Sequence, residues 1–165
     1  MLSDWTGYSV YMGDSGMLEV DDEDIGHLDE QKTAYTQYLK INDQLLSLIS
    51  QTEVSQLSTL RHLNLHIRDD SYPKIKIIDN LHSCFNLLSL NLSYNNIERI
   101  ENLHVLPNLR NLNLSENFIE KVENIHTLMY LEKLNLSGNN ISVLSNNGTD
   151  NPFENNRALI HLRLS

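Results

Sequence analysis

The chain reads Leu87-Leu-Ser-Leu-Asn-Leu-Ser-Tyr-Asn-Asn-Ile97, then Leu109-Arg-Asn-Leu-Asn-Leu-Ser-Glu-Asn-Phe-Ile119, then Leu131-Glu-Lys-Leu-Asn-Leu-Ser-Gly-Asn-Asn-Ile141. The three copies share the pattern L-x-x-L-x-L-x-x-N-x-I and start 22 residues apart. Fixed periods of about 20–50 residues are typical of solenoids, whose stacked coils bury their apolar sides against one another. The sequence therefore predicts a solenoid.

Each coil divides into a strand and a series of turns. In L-x-L, inward leucines alternate with polar residues, as they do in a strand with one buried face. From Ile97 to Leu112 an apolar residue recurs at every third place, which suits 3₁₀ turns because residues i and i+3 eclipse. We therefore predict an α/β solenoid with short parallel strands on the concave face and 3₁₀ turns on the convex side.

An asparagine ends each strand motif, at Asn95, Asn117 and Asn139. An amide side chain carries both donors and an acceptor, so stacked copies can satisfy the backbone groups that lose their partners where the strand turns. We predict that these three residues form a structural ladder with no ligand role.

The repeats extend beyond the central copies on both sides. Residues 33–58 predict a capping helix, with Thr33 as its N-cap, and a first turn. Residues 59–165 predict about five repeats, with insertions at 66–74 and 145–152. The fifth repeat stops before its corner, so we expect an uncapped apolar end and interpret the sequence as a fragment.

The charge is concentrated in one segment. The whole chain has a net charge of −10, and residues 1–31 hold nine acidic residues and no Lys or Arg. This composition predicts that residues 1–32 form an acidic disordered tail. Neither part is basic, so we expect no nucleic-acid partner.

Several function classes are disfavoured. No apolar run reaches the length of a membrane span, and the start lacks the pattern of a signal peptide. The single cysteine, Cys84, fits a reducing compartment and a buried structural thiol, so we expect a cytoplasmic protein. No catalytic or phosphate-binding motif is present, and we therefore expect no enzyme, cofactor or small-molecule substrate.

Outward strand positions provide the candidate site. Their polar side chains favour a protein segment over a small apolar molecule, and solenoids commonly bind partners on this face. The predicted partner-binding residues are His62, Asn64, His66, Ser89, Asn91, Ser93, Asn111, Asn113, Ser115, Lys133, Asn135 and Ser137, with His161 and Arg163 on the fifth strand.

A histidine column recurs with the same period, at His82, His104 and His126. Structural zinc needs four convergent nitrogen or sulfur ligands, and only Cys84 is near. We interpret the column as surface imidazoles and expect no metal site.

The repeat resembles the 22-residue class of leucine-rich repeats, which includes the regulatory subunit of protein phosphatase 1, axonemal dynein light chain and many centrosomal proteins. Residues 35–144 most resemble the N-terminal repeats of the centriolin family. The features that carry this likeness are the helix Ile41–Ser50, the strand Leu60–Leu65 with its charged insertion, and Ile78-Asp-Asn-Leu-His-Ser-Cys84. The acidic tail and the histidine column are not matched.

The centriolin resemblance implies a scaffold at the centrosome or ciliary base, with coiled coils downstream. A phosphatase-type regulatory subunit remains an alternative, although that family's concave face is acidic, aromatic and long. An axonemal dynein-associated protein and a spliceosomal ribonucleoprotein subunit are further alternatives that use this repeat.

Overall fold

The computed structural model describes residues 38–142, 144 and 151–164. Its helix is α1 (Asp43–Ser50), which a 3₁₀ segment at Val54–Thr59 follows. The strands are β1 (His62–Asn64), β2 (Ser89–Asn91), β3 (Asn111–Asn113), β4 (Lys133–Asn135) and β5 (His161–Arg163). They form one parallel sheet in the order β1-β2-β3-β4-β5. The predicted solenoid is therefore confirmed.

The register of the sheet aligns equivalent positions of every repeat. Leu90 lies beside Leu112, and Leu112 lies beside Leu134. Leu63 and Leu162 occupy the same position at the two edges of the sheet. Because side chains alternate along a strand, this register sends Leu63, Leu90, Leu112 and Leu134 into the core and leaves their neighbours on the concave face.

The convex side carries the predicted 3₁₀ turns, at His82–Cys84, Leu103–Val105 and Ile125–Thr127. The period-three residues between them are buried in one continuous core with the strand leucines. Buried members from two central coils are Ile97, Ile100, Leu103, Leu106, Leu109, Leu112, Leu114, Ile119, Val122, Ile125, Leu128 and Leu131.

The capping helix is shorter than the sequence predicted. It begins after Asn42, whose side chain accepts a hydrogen bond from Leu45 N at 2.8 Å. Residues 38–42 are extended instead, because Leu39 forms a parallel bridge with Ile75. Leu46 is fully buried, so α1 covers the first coil as expected. Thr33 and the acidic segment 1–32, with its predicted disorder, lie outside the described residues.

The first insertion leaves the solenoid intact, although it forms an irregular corner. Lys74 pairs with Asp70 at 3.1 Å, and its ammonium also donates to the Ile67 carbonyl. The apolar pattern then resumes at Ile75, which is fully buried.

The second insertion lies largely outside the described residues. After it, Phe153 and Leu159 pack against the core. Leu162 and Leu164 on the fifth coil are 40% and 37% exposed. No helix in the described ranges is long and apolar enough to cross a membrane.

Candidate functional site

The predicted asparagine ladder is present at the corner where the strands end. Asn117 Oδ1 accepts a hydrogen bond from Ile97 N in the preceding coil at 3.0 Å. Its Nδ2 donates to the Leu92 carbonyl of that coil at 3.0 Å and to the Leu114 carbonyl of its own coil at 3.0 Å. Asn95 and Asn139 repeat this pattern. The ladder therefore joins neighbouring coils and holds the edge of the concave face in place.

A second asparagine ladder, which the sequence reasoning missed, runs along the convex side. Asn80, Asn102 and Asn124 each donate from Nδ2 to a backbone carbonyl of the preceding segment, at 2.9, 2.8 and 2.7 Å. All three adopt left-handed backbone conformations, with φ of 54°, 58° and 60°, which Asn tolerates better than most residues. The recurring Asn before the apolar residue at each of these turns was the signal that could have revealed this ladder.

The predicted concave residues lie together on the sheet, but many are engaged with their own backbone. Asn91 Oδ1 accepts from Ser93 N at 3.1 Å and from Ser93 Oγ at 2.8 Å. Asn135 and Ser137 repeat both bonds, and Asn113 accepts from Ser115 N. These asparagines are half-buried. Their Oδ1 atoms hold the turns after the strands, and the rest of each amide is partly exposed on the concave face.

Four of the predicted contact residues have little surface to offer a partner. Asn64, Ser89, Ser93 and Ser115 are each less than a tenth exposed. They are small side chains that neighbouring strands and corners cover. The more accessible outward side chains are the larger ones at the ends of the face, with His62 exposed on β1 and His161 and Arg163 exposed on β5.

The outward positions of the five strands carry basic groups and no carboxylate. Lys133 and Arg163 are the cations, and His62 and His161 are imidazoles on the two edge strands. The acidic residue nearest to a strand is Glu132, which precedes β4 and pairs with Arg110 at 2.5 Å. The concave face is therefore polar, with a positive formal charge.

An aromatic cluster borders this face at its first corner. The Arg68 guanidinium lies 5.4 Å from the centre of the Tyr94 ring, and His66 meets the same ring edge-on at 6.3 Å. Burial lowers the pKa of His66, and the charges of Arg68 and Lys74 lower it further. His66 is therefore more strongly held in its neutral form than a free imidazole.

A groove of about 270 Å³ continues along the same corner. Tyr94, Glu116 and Gly138 follow one another there on successive coils, all with positive φ. A Cβ at Gly138 would lie 2.5 Å from a Glu116 carboxylate oxygen, so that flexible side chain would have to move, and the φ of 68° at Gly138 itself favours glycine. Phe118, which also lines the groove, is 51% exposed.

A second groove of about 290 Å³ lies where the strands begin. Arg61, Arg110 and Tyr130 are among its lining residues, and Tyr130 is largely exposed. Each edge of the polar face thus offers an aromatic side chain and a charged one, a combination common in protein interfaces.

The other sequence predictions concern the convex side. His82, His104 and His126 are exposed, as expected for surface imidazoles. Among the described residues, no group of three or more His, Cys, Asp or Glu side chains could hold a metal ion. Cys84 is buried, and that burial, with the nearby Asp43 charge, raises its pKa to about 11. Its thiol therefore stays protonated at neutral pH.

Comparison with known proteins supports the repeat architecture. Residues 85–126 match the family model described as leucine rich repeats in two copies. No curated protein matches the chain. Internalin C2 from Listeria monocytogenes superposes with a TM-score of 0.53 at 24% identity, over 66% of this chain and 43% of that one. At this identity the likeness supports the fold alone.

Two further solved structures are similar with lower scores. The Drosophila melanogaster SNF/U2A′ complex matches at 26% identity with a TM-score of 0.49, over 62% of this chain and 57% of that one. The Drosophila Toll–Spätzle complex matches at 24% identity with a TM-score of 0.47, over 64% of this chain and 17% of that one. The chain thus spans less than two thirds of the length of each of these proteins.

Proposed function

We propose that this leucine-rich repeat protein is a non-catalytic scaffold that binds a protein partner through its concave face. The observation that carries the proposal is the continuous ribbon of outward side chains on five strands in register. Leucine-rich repeat domains generally serve as interaction modules, and solenoids present extended concave surfaces for that purpose.

The chemistry of the face favours a polypeptide. The half-buried amides of Asn91, Asn113 and Asn135 can bond to a partner's backbone. Phe118 and Tyr130 at the two edges are more than half exposed and can serve as apolar anchors.

A charge-reversal experiment tests the proposal. The test variant places glutamate at the accessible histidines on the two edge strands and at one of the two cations of the face. The control variant makes three glutamate substitutions on the convex side of the same solenoid. The test variant is His62→Glu, Lys133→Glu and His161→Glu, and the control is His82→Glu, His104→Glu and His126→Glu. Partners captured from cell extract are identified by quantitative mass spectrometry.

We expect the test variant to lose a defined set of partners that the control retains. Both variants should show wild-type circular dichroism and melting temperature, since the substituted side chains lie on the surface. Equal capture by both variants would contradict binding through the concave face.

For the cellular site, we propose the centrosome or ciliary base, and we propose coiled coils in addition to the repeats, as the centriolin resemblance implies. The support is the resemblance of residues 35–144 to the N-terminal repeats of centriolin, which includes the charged insertion between Leu65 and Ile75. Imaging of a tagged full-length product should give a signal that coincides with a centrosome marker. A diffuse or nuclear signal would contradict this assignment.

An alternative proposal is a regulatory subunit of a protein phosphatase 1-type complex, or an axonemal dynein-associated protein. The polar concave face without carboxylates counts against the phosphatase interpretation, because that family is expected to bind through an acidic and aromatic face. Co-purification of a phosphatase catalytic subunit with wild-type protein, lost in the concave variant, would favour this alternative. Co-purification of dynein subunits would favour the axonemal one.

A further inference from the structure

The concave face and the N-terminal segment carry complementary charge. On the face, Lys133 and Arg163 are cationic, Arg61 is exposed just before β1, and no outward strand position is acidic. Residues 1–31 contain nine acidic residues and no Lys or Arg. Seven of these nine are concentrated in one short stretch, at Glu19, Asp21, Asp22, Glu23, Asp24, Asp29 and Glu30.

Acidic residues near the face are already paired or lie at its rim. Glu132 is bound to Arg110, and Asp70 is bound to Lys74. Glu116 lies at the corner, over Gly138, beyond the end of β3. None of these carboxylates stands between the strands, so an acidic segment that crosses the sheet meets amides and cations.

The chain enters the solenoid at the border of this face. Leu39 N donates to the Lys74 carbonyl at 2.9 Å, and Tyr38 lies beneath the Lys76 ammonium, 5.0 Å from the ring centre. Lys74 ends the same insertion that begins at His66 on the concave side. The acidic segment is therefore tethered beside the corner of the first coil.

The tether is long enough to reach the cations. Adjacent strands are about 4.8 Å apart, so β1 and β5 are separated by roughly 19 Å. The segment 31–37 can span at most about 25 Å. The acidic cluster can thus cover the whole width of the sheet, and its effective concentration there is on the order of millimolar.

We propose that the acidic segment Glu19–Glu30 occupies the concave face of its own chain and competes there with a protein partner. This inference rests on the proposed function, because it assigns an internal competitor to the same surface. The contact is mainly ionic, and it therefore weakens when salt shortens the Debye length from about 8 Å at physiological ionic strength.

Zero-length carbodiimide coupling tests the contact in the full chain without any partner. The reagent joins a carboxylate to an amine with which it is in contact. Two variants place an amine on the concave face, His62→Lys and His161→Lys, and the control His104→Lys places the same group on the convex side, where the side chain is also exposed. Trypsin leaves residues 1–32 in one peptide, since the first Lys or Arg is Lys32.

At low salt we expect intramolecular cross-links from this peptide to the two concave amines to exceed those to the convex amine of the His104→Lys control by on the order of tenfold, as a tethered local excess predicts. In about 1 M salt, where the Debye length is about 3 Å, the excess should disappear. Equal yields in all three variants would overturn the proposal. Cross-links found only between two molecules would overturn it too, and would assign the segment to a second copy.

The two proposals fail separately. If no cross-links to the concave amines form, but the charge-reversal variant still loses partners, the proposed function holds and the internal competitor is absent. A chain that shows the cross-links but captures the same partners in test and control variants has the intramolecular contact without the proposed partner site.

Discussion

The solenoid has two asparagine ladders, and they differ in how much of each amide is used. At the corner, Asn117 is buried and both accepts and donates, bonding to its own coil and to the coil before it. On the convex side, Asn102 is half-buried and donates one hydrogen bond to the Ile78 carbonyl. The corner ladder replaces lost sheet bonds, whereas the convex ladder fixes a turn.

This difference has an energetic consequence. A buried backbone group that loses its partner bears its full desolvation cost, while a group near the surface can bond to water. Removal of a corner amide should therefore destabilise the fold more than removal of a convex amide, even though both columns repeat with the same period.

The largest effect is expected for Asn117→Ala. The substitution orphans Ile97 N in a dry corner, and the carbonyls of Leu92 and Leu114 each lose one asparagine donor and keep another. The free energy of unfolding should therefore fall by about 1–3 kcal/mol. Chemical denaturation monitored by circular dichroism measures it. Asn140→Ala, at an exposed corner position, is the matched control and should differ from wild type by less than about 0.5 kcal/mol.

A smaller effect is expected for Asn102→Ala. One cross-coil bond is lost at a half-buried site, and the expected decrease in the free energy of unfolding is about 1 kcal/mol. The same denaturation experiment compares it directly with Asn117→Ala. If Asn102→Ala destabilised the chain more than Asn117→Ala, the ranking of the two ladders would be wrong.

The destabilisation by Asn102→Ala has two causes, the lost hydrogen bond and the left-handed backbone, and a glycine variant separates them. With φ at 58°, alanine bears a steric cost that glycine avoids, and this cost is part of the decrease expected for Asn102→Ala. Asn102→Gly should therefore be more stable than Asn102→Ala, while both remain less stable than wild type because both lack the Nδ2 donor. Equal stability of the two variants would argue against the left-handed turn.

The smallest effect is the pH dependence of the corner. The pKa of His66 is lowered in the folded chain by burial and by Arg68 and Lys74, so the unfolded chain binds the proton more readily. The contribution of neutral His66 to the free energy of unfolding is fully present above the pKa of the unfolded chain, near 6.5. It is lost as the pH falls through the lower pKa of the folded chain. The His66→Gln variant should lose less stability on acidification than wild type.

The exposed His104 on the convex side provides the control for this measurement. Melting temperatures of wild type, His66→Gln and His104→Gln, taken between about pH 7.5 and about pH 5, separate the two positions. We expect a flatter profile for His66→Gln alone. A flatter profile for His104→Gln instead would place the titrating group on the wrong side of the solenoid.

Most of the fold could be predicted because the spacing of the repeated apolar residues indicates which positions are buried. The inward leucines of L-x-L and the period-three apolar residues directly indicated the strands and the 3₁₀ turns. The start of α1 could not be placed, because Tyr38, Leu39 and Ile41 suit a helix or an extended segment equally well. The pairing of Leu39 with Ile75 decides between them, and it is a long-range contact.

The site was predicted less completely than the fold. Alternation along the strands placed the outward residues correctly, but it could not tell that Asn91 and Asn135 bond to the serines two positions later. Nor could it tell that Ser89 and Ser115 are covered. Accessibility depends on the side chains of adjacent coils, and a single repeat does not contain that information.

The central claim is that successive coils stack as parallel strands in register. Scalar couplings through hydrogen bonds, measured by NMR on isotopically labelled protein, test it most directly. We expect couplings from the Leu92 amide to the Asn113 carbonyl and from the Leu114 amide to the Asn135 carbonyl, whose N···O distances are both 2.8 Å. Couplings from these amides to carbonyls four residues earlier in the chain, as in a helix, would contradict it.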